Sequence, residues 1–418
     1  MTPLQSLRSI DAARVALAVV LTAAFGPTAA AQSPREALGD LIPGSTKTEV
    51  SAVASAVVMQ IASVPIGSSS GAFTLVRDAT TGETTLKTFG FGPSFAERPT
   101  TLGRAGAFTF GTTYQRTAFR TFEGASLSGG PRAEIRLDGR PVQQLFATSL
   151  DVSSATTSFV GTLGVTKDLD VAVCVPWVQL SLAGMRTSAV GASAAPSTVA
   201  REVDAAGIGD ILVRAKWAPW QTDRGAVAAA FEARLPTGSQ EALIGTPGIR
   251  PKLLFLGSTT AGVVSPHVNL SYQFGGPGAT VRAVPGGSDE LLDARVGREL
   301  GYTVGIEIAA HSNLTLSADV LGRSLRHAAR FDFEEHGLGA GQSTPQLRAA
   351  FAQLAQVGTP TLYSMNPRVG SLNRWMVAIG AKTVILGRGL VRLDVLGSMN
   401  DAGLKPGLTM VTGVEFAF

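Results

Sequence analysis

Leu408-Thr409-Met410-Val411-Thr412-Gly413-Val414-Glu415-Phe416-Ala417-Phe418 is the last stretch of the chain. Leu408, Met410, Val414, Phe416 and Phe418 recur at period two, with Thr409, Gly413, Glu415 and Ala417 between them. The spacing predicts a strand with one oily face and one small or polar face. Left as an unpaired edge, such a strand would aggregate in water, whereas pairing it with the first strand closes a barrel and removes the edge. The expectation is an all-β fold, a transmembrane antiparallel up-and-down β-barrel.

Composition points the same way. Charged residues make up 16% of the chain, against ~25% in soluble domains. Glycine is abundant, and no apolar run approaches the ~20 residues of a membrane helix. The net charge of +4 is small and its basic residues are interspersed with acidic ones, which argues against a nucleic-acid partner.

At the amino terminus Arg8 and Arg14 precede the apolar run from Val15 to Phe25, and Ala29-Ala30-Ala31 follows. This is the pattern of a secretory signal cut before Gln32, so residues 1–31 are expected to be a signal peptide that routes the chain to the bacterial outer membrane. Residues 32–104 are expected to be an amino-terminal periplasmic or plug segment, since between Pro43 and Thr101 the pattern is not that of a membrane strand. Thr46-Lys47-Thr48-Glu49 has capping-box spacing, and Val50, Val53, Val57 and Ile61 follow at helical intervals. A hairpin is expected next, with arms Phe73 to Arg77 and Glu83 to Phe89 that are shorter than the ~9–11 residues of a membrane strand. Residues 45–91 within this segment are expected to form a plug at the periplasmic mouth or inside the barrel, because a twelve-strand barrel encloses more space than its own side chains fill.

Residues 105–418 are expected to form the barrel. Twelve segments read as strands, near 105–119, 145–165, 168–182, 208–219, 225–236, 251–259, 262–274, 299–310, 313–326, 373–386, 389–399 and 406–418. The links between them alternate between short turns and long loops near 120–144, 183–207, 237–250, 275–298 and 327–372. That asymmetry is the outer-membrane signature, with the short turns periplasmic. Adding the Phe73–Phe89 hairpin to the wall gives the alternative of fourteen strands.

Alternation also sorts the faces. Ile211, Val213, Ala215 and Trp217 are expected toward lipid, which leaves Asp210, Arg214 and Lys216 inside. In the next strand Val227, Phe231 and Leu235 face out, and Glu232 and Arg234 face in. Val264, Val268, Leu270, Tyr272 and Phe274 likewise face lipid, with His267, Asn269, Ser271 and Gln273 inside. Glu299, Glu307, Asp319, Arg323, Arg374, Lys382, Arg392, Asp394 and Glu415 fall on inward positions too. The physical cause is that a charge facing lipid at the midplane costs ~2–4 kcal/mol. Two readings of these lumen residues stay open. Arg214, opposite or diagonal to Glu232, belongs to a ladder that satisfies buried charge, or some of the set, with His267, line the path of a solute.

Catalysis and metal binding find little support. His311-Ser312-Asn313 places its histidine and serine on adjacent positions in an expected turn, whereas catalytic partners on one face of a strand must be two apart. The four histidines lack metal-site spacing, the glycine pairs open no helix that would cradle phosphate, and Cys174, the one cysteine, reads as a small inward residue. No enzyme, cofactor or metal is expected. In the longest loop, Thr344, Pro345, Leu347, Phe351, Leu354 and Gly358 predict a helix.

Several segments resemble the outer-membrane family named for the MetA pathway of phenol degradation, itself similar to the toluene and long-chain fatty-acid transporters. They are Val165-Thr166-Lys167-Asp168-Leu169-Asp170-Val171 running to Val175-Pro176, then Gly207-Ile208-Gly209-Asp210, Leu235-Pro236-Thr237-Gly238 and Ser265-Pro266-His267-Val268-Asn269. Gly413, Phe416 and Phe418 also resemble the C-terminal signal by which outer-membrane barrels meet their assembly machinery. The resemblance implies a barrel in outer-membrane lipid and passive uptake of small hydrophobic or aromatic compounds. The alternative is a structural or surface-binding barrel with a plugged lumen and no transport.

Overall fold

The protein is seen as a computed structural model that describes residues 32–41, 54, 73–77, 84–88, 95, 97–127, 132–134, 144–190, 197–222, 224–283, 290–296, 298–311, 313–336, 352, 361–385 and 389–418. Twelve antiparallel strands form a closed wall. They are β1 (Phe108–Phe122), β2 (Gln144–Gly164), β3 (Leu169–Val190), β4 (Leu212–Thr222), β5 (Gly225–Arg234), β6 (Arg250–Thr259), β7 (Val264–Gln273), β8 (Glu299–His311), β9 (Leu314–His336), β10 (Thr361–Ile385), β11 (Gly389–Ser398) and β12 (Thr409–Ala417). Each pairs with its neighbours in sequence, and the last pairs with the first, Phe416 opposite Phe110 and Gly413 opposite Thr113. Closure gives every strand of the wall two partners, which is the condition for spanning lipid.

The two faces follow the alternation. Trp217 is 56% exposed while neighbouring Lys216 is 3% exposed. Val227, Phe231, Val268, Leu270, Tyr272, Met410 and Phe416 are outside, whereas Asp210, Glu232, His267, Asn269, Glu307, Asp319, Arg374, Lys382, Arg392 and Asp394 are buried within. Aromatic rings collect at both rims. Phe108 and Phe418 meet at 6.1 Å near the short-turn end, and Tyr302 and Trp375 at 5.1 Å, edge to face, toward the long-loop end, as the girdles of membrane barrels do.

Beyond the membrane the strands run further than the alternation suggests. Residues expected as loop at 183–207 instead continue β3 and form a strand, Ser197–Ile208, that pairs with the outer half of β3. β9 and β10 likewise extend to 23 and 25 residues through the expected loop 327–372, and part of 275–298 is a hairpin of Gly276–Ala283 with Glu290–Val296. Above the bilayer a strand needs only hydrogen-bond partners, since no lipid sorts its faces.

The Phe73–Arg77 and Thr84–Thr88 arms pair only with each other, in a sheet separate from the wall. The wall therefore has twelve strands. Among the described residues, helix α1 (Pro34–Leu41) stands at the long-loop end. Ser33 Oγ accepts from the Glu36 backbone N–H at 3.2 Å, and the Ser33 N–H donates to Glu36 Oε2 at 3.0 Å, a reciprocal capping box with Pro34 at the first helical position. Residues 1–31 and the Thr344–Gly358 helix, save helical Ala352, lie outside the described residues. The 46–61 helix does too, apart from Ala54, which is helical and buried.

Candidate functional site in the barrel lumen

Descending from the long-loop end, the lumen begins with an apolar layer. Ala37, Leu38 and Leu41 of α1 pack with Phe119, Val152, Leu180, Leu182, Leu243, Ile244 and Phe331 from the wall and the 235–249 loop. Polar ties hold the helix there. Asp40 Oδ2 accepts from Arg201 Nε and from Gln32 Nε2, both at 2.7 Å, and the Arg35 backbone N–H donates to Glu241 O at 3.3 Å. The Arg201 contact, and to a smaller degree the Gln32 one, keeps the Asp40 carboxyl below its ordinary 3.8.

Asp210 anchors the loop that carries Leu243 and Ile244. Its carboxylate accepts from Gly238 N at 3.2 Å, Thr246 N at 2.9 Å and Thr246 Oγ1 at 2.6 Å. This residue, expected inside as a member of a charge ladder or of a solute path, here shapes the mouth.

Beneath this layer a ladder crosses five strands. Arg214 lies directly opposite Glu232, Glu232 opposite Lys252, Lys252 opposite Gln273, and Gln273 opposite Glu299. Arg214 Nε donates to Glu232 Oε2 at 3.0 Å, and Lys252 Nζ lies 3.3 Å from Glu232 Oε1. Arg323 Nε donates to Glu299 Oε1 at 2.6 Å. The amino-terminal segment enters the same network. Glu97 is paired with Arg214 and, at 3.2 Å, with Lys216 Nζ, and its backbone carbonyl accepts from Asn269 Nδ2 at 3.2 Å. Phe95 packs with Leu321, Met376, Ala378, Leu396 and Val411.

From there the segment reaches the short-turn end. Thr101 Oγ1 donates to Lys167 O at 2.7 Å and the Leu102 N–H to Asp170 Oδ2 at 2.9 Å, just before β1 begins. Helix α1, Phe95 with Glu97, and Thr101 with Leu102 thus sit at the outer mouth, the middle and the base of the lumen.

The remaining charges form separate groups. His267 Nε2 donates to Asp319 Oδ1 at 2.5 Å across Gly305, which sits between them in register. A Cβ on Gly305 would collide with both side chains and lie 2.8 Å from Ala318 O. Lys382 Nζ donates to Glu307 Oε1 at 2.5 Å. Arg392 Nε is 3.9 Å from Asp394 Oδ2, and a Cβ on Gly413 would be 2.8 Å from that Nε. Arg374 donates to Leu404 O at 2.9 Å. A lumen glycine on one strand thus leaves room for a charge reaching from the next.

Within the outer half lies a cavity of about 150 Å³. Arg214, Glu232, Arg234, Asn269, Gln273, Glu299 and Arg323, all expected inside, line it together with Glu97, Arg250 and Lys252. The structure does not bring His267, Glu307, Asp319, Arg374, Lys382, Arg392 or Asp394 to it. Arg250 and Lys252 were legible as the polar alternates to Pro251 and Leu253, whereas Glu97 stands outside any periodic pattern. No metal-ligating cluster is present among the described residues.

Residues 138–317 match the family model described as "Putative MetA-pathway of phenol degradation". Among solved structures, an outer membrane channel from Pseudomonas putida F1 is 11% identical, with a TM-score of 0.44 over 75% of this chain and 96% of that one. The Pseudomonas putida toluene transporter TodX is 11% identical, with a TM-score of 0.34 over 77% and 91%. The CymD monoaromatic hydrocarbon channel is 10% identical, with a TM-score of 0.34 over 76% and 90%. No curated protein matches the chain.

Proposed function

With residues 138–317 matched to the phenol-degradation family as the premise, we propose that this chain is a passive outer-membrane channel for small hydrophobic or aromatic compounds. The observation that carries the reading is a closed twelve-strand wall around a polar lumen that retains a solute-sized cavity. In this reading residues 1–31 direct export, residues 32–104 form the periplasmic or plug segment, with the plug in 45–91, and residues 105–418 form the conducting barrel. Gly413, Phe416 and Phe418 are the residues read by the assembly machinery. The phenol-degradation description of the matched family supports the solute class.

A second reading, a structural barrel without transport, draws on the packing of Leu38 and Leu41 across the outer mouth. Uptake separates the two. Intact cells producing the protein should take up radiolabelled toluene several-fold faster than cells without it. Equal rates, together with no ion conductance in planar bilayers, would leave the structural barrel standing.

A further inference from the structure

The lumen cavity has cationic and apolar parts in a definite order. Along β6, Arg250 and Lys252 precede Leu254, and along β9 Arg323 lies outward of Leu321, so the cationic part faces the mouth and the apolar part, with Phe95, lies deeper. Five cations line the cavity, Arg214, Arg234, Arg250, Lys252 and Arg323, against the three carboxylates of Glu97, Glu232 and Glu299. The carboxylates are spoken for. Glu97 holds Arg214 and Lys216, Glu232 holds Arg214 and Lys252, and Glu299 holds Arg323.

Among the described residues Arg234 and Arg250 have no hydrogen-bonded carboxylate, and Arg250 is the more deeply buried of the two. It is 3% exposed, its Nη2 is 3.9 Å from Glu299, beyond a hydrogen bond, and neither its Nε nor its Nη2 has a hydrogen-bond partner among the described residues. Gln273, 8% exposed, lines the same cavity with its Nε2 likewise unpartnered. Buried donors of this kind, one of them a guanidinium, are costly unless something accepts from them. An oxyanion supplies both the acceptors and the missing negative charge, and a guanidinium fork suits the two oxygens of a carboxylate.

We propose that the cavity bounded by Arg250, Gln273, Arg234 and Leu254 is a binding site for a small organic carboxylate, its charged end on Arg250 and Gln273 and its apolar body against Leu254, Leu321 and Phe95. The volume is that of a cavity able to take a benzene ring, and the lining adds what a neutral arene would not use. This deepens the channel reading by naming the ionic form of the solute, and it rests on that reading for its role in transport.

Calorimetry on the detergent-solubilised full chain tests it without requiring flux. Benzoate should bind about tenfold or more tightly than its neutral counterpart benzyl alcohol, the difference that a charge-assisted hydrogen bond confers. Arg250→Met should remove most of that preference, and Gln273→Leu part of it, with benzyl alcohol unaffected. If Arg250→Met fails to fold, Gln273→Leu carries the comparison. Equal binding of benzoate and benzyl alcohol, with water alone satisfying the donors, overturns the proposal. So does undiminished benzoate binding by the folded variants, or inorganic phosphate binding as tightly as benzoate, which would mark a site for any oxyanion. Should benzoate bind while neither toluene uptake nor ion conductance is seen, the channel reading fails and the site stands. Should the protein conduct without preferring benzoate, the reverse holds.

Discussion

At the scale of single residues, the ladder around Glu97, Glu232 and Glu299 gives most of its buried charges a partner across a strand. Arg214 serves two carboxylates, Glu97 and Glu232. Arg214→Ala should therefore lower barrel stability by about 3–5 kcal/mol, reduced where Lys216 and Lys252 take over its partners. Glu232→Ala should restore part of the loss. Urea unfolding of the single and double variants measures the coupling, and additive losses would show that the pair does not interact. Gly305→Ala should cost about 1–3 kcal/mol through overpacking, because its methyl group would displace both His267 and Asp319. A shift in the heat-modified band on a gel reads that change, and wild-type behaviour would refute the packing argument. Alternation along β4 to β9 made most of these residues legible as inward. The need for glycine opposite Asp319 was not, since it arises only when three strands are in register.

At the scale of elements, α1 is held by an apolar face and one ionic hook. Leu41→Ala would leave a void beside Gly184 and Leu150, at a typical cost of about 2–5 kcal/mol, and should make the outer mouth open more often in single-channel records. The hook has a pH dependence of known sign. Because Arg201 holds Asp40 below 3.8, its contribution to docking is complete above that value and is lost as pH falls through the lowered one. Channel openings should thus increase on acidification below pH 3.8 from the outer side, and Asp40→Asn should show them already at neutral pH. Records insensitive to both would detach α1 from gating. The helix itself was readable from Ser33-Pro34-Arg35-Glu36, whose spacing is that of a capping box, but eight residues carry too short a periodic run to stand out. The extension of β3, β9 and β10 beyond the bilayer was not readable, because with no lipid on either side the period-two signal disappears.

For the whole molecule, the wall and its strand number follow from alternation and from an oily last strand that must find the first. The content of the lumen does not, since Glu97 and Phe95 gain their partners only once the barrel has closed around them. Leaving the Phe73–Thr88 hairpin out of the wall means that the N-terminal segment can be removed without opening an edge. The most direct test is planar-bilayer conductance of the full chain beside a variant whose mature chain begins at residue 92. The variant should fold into a heat-modifiable barrel and conduct more than the full chain, because α1 no longer covers the mouth. Unchanged conductance, or a variant that cannot insert, would contradict a twelve-strand channel whose lumen is filled by its own amino-terminal segment.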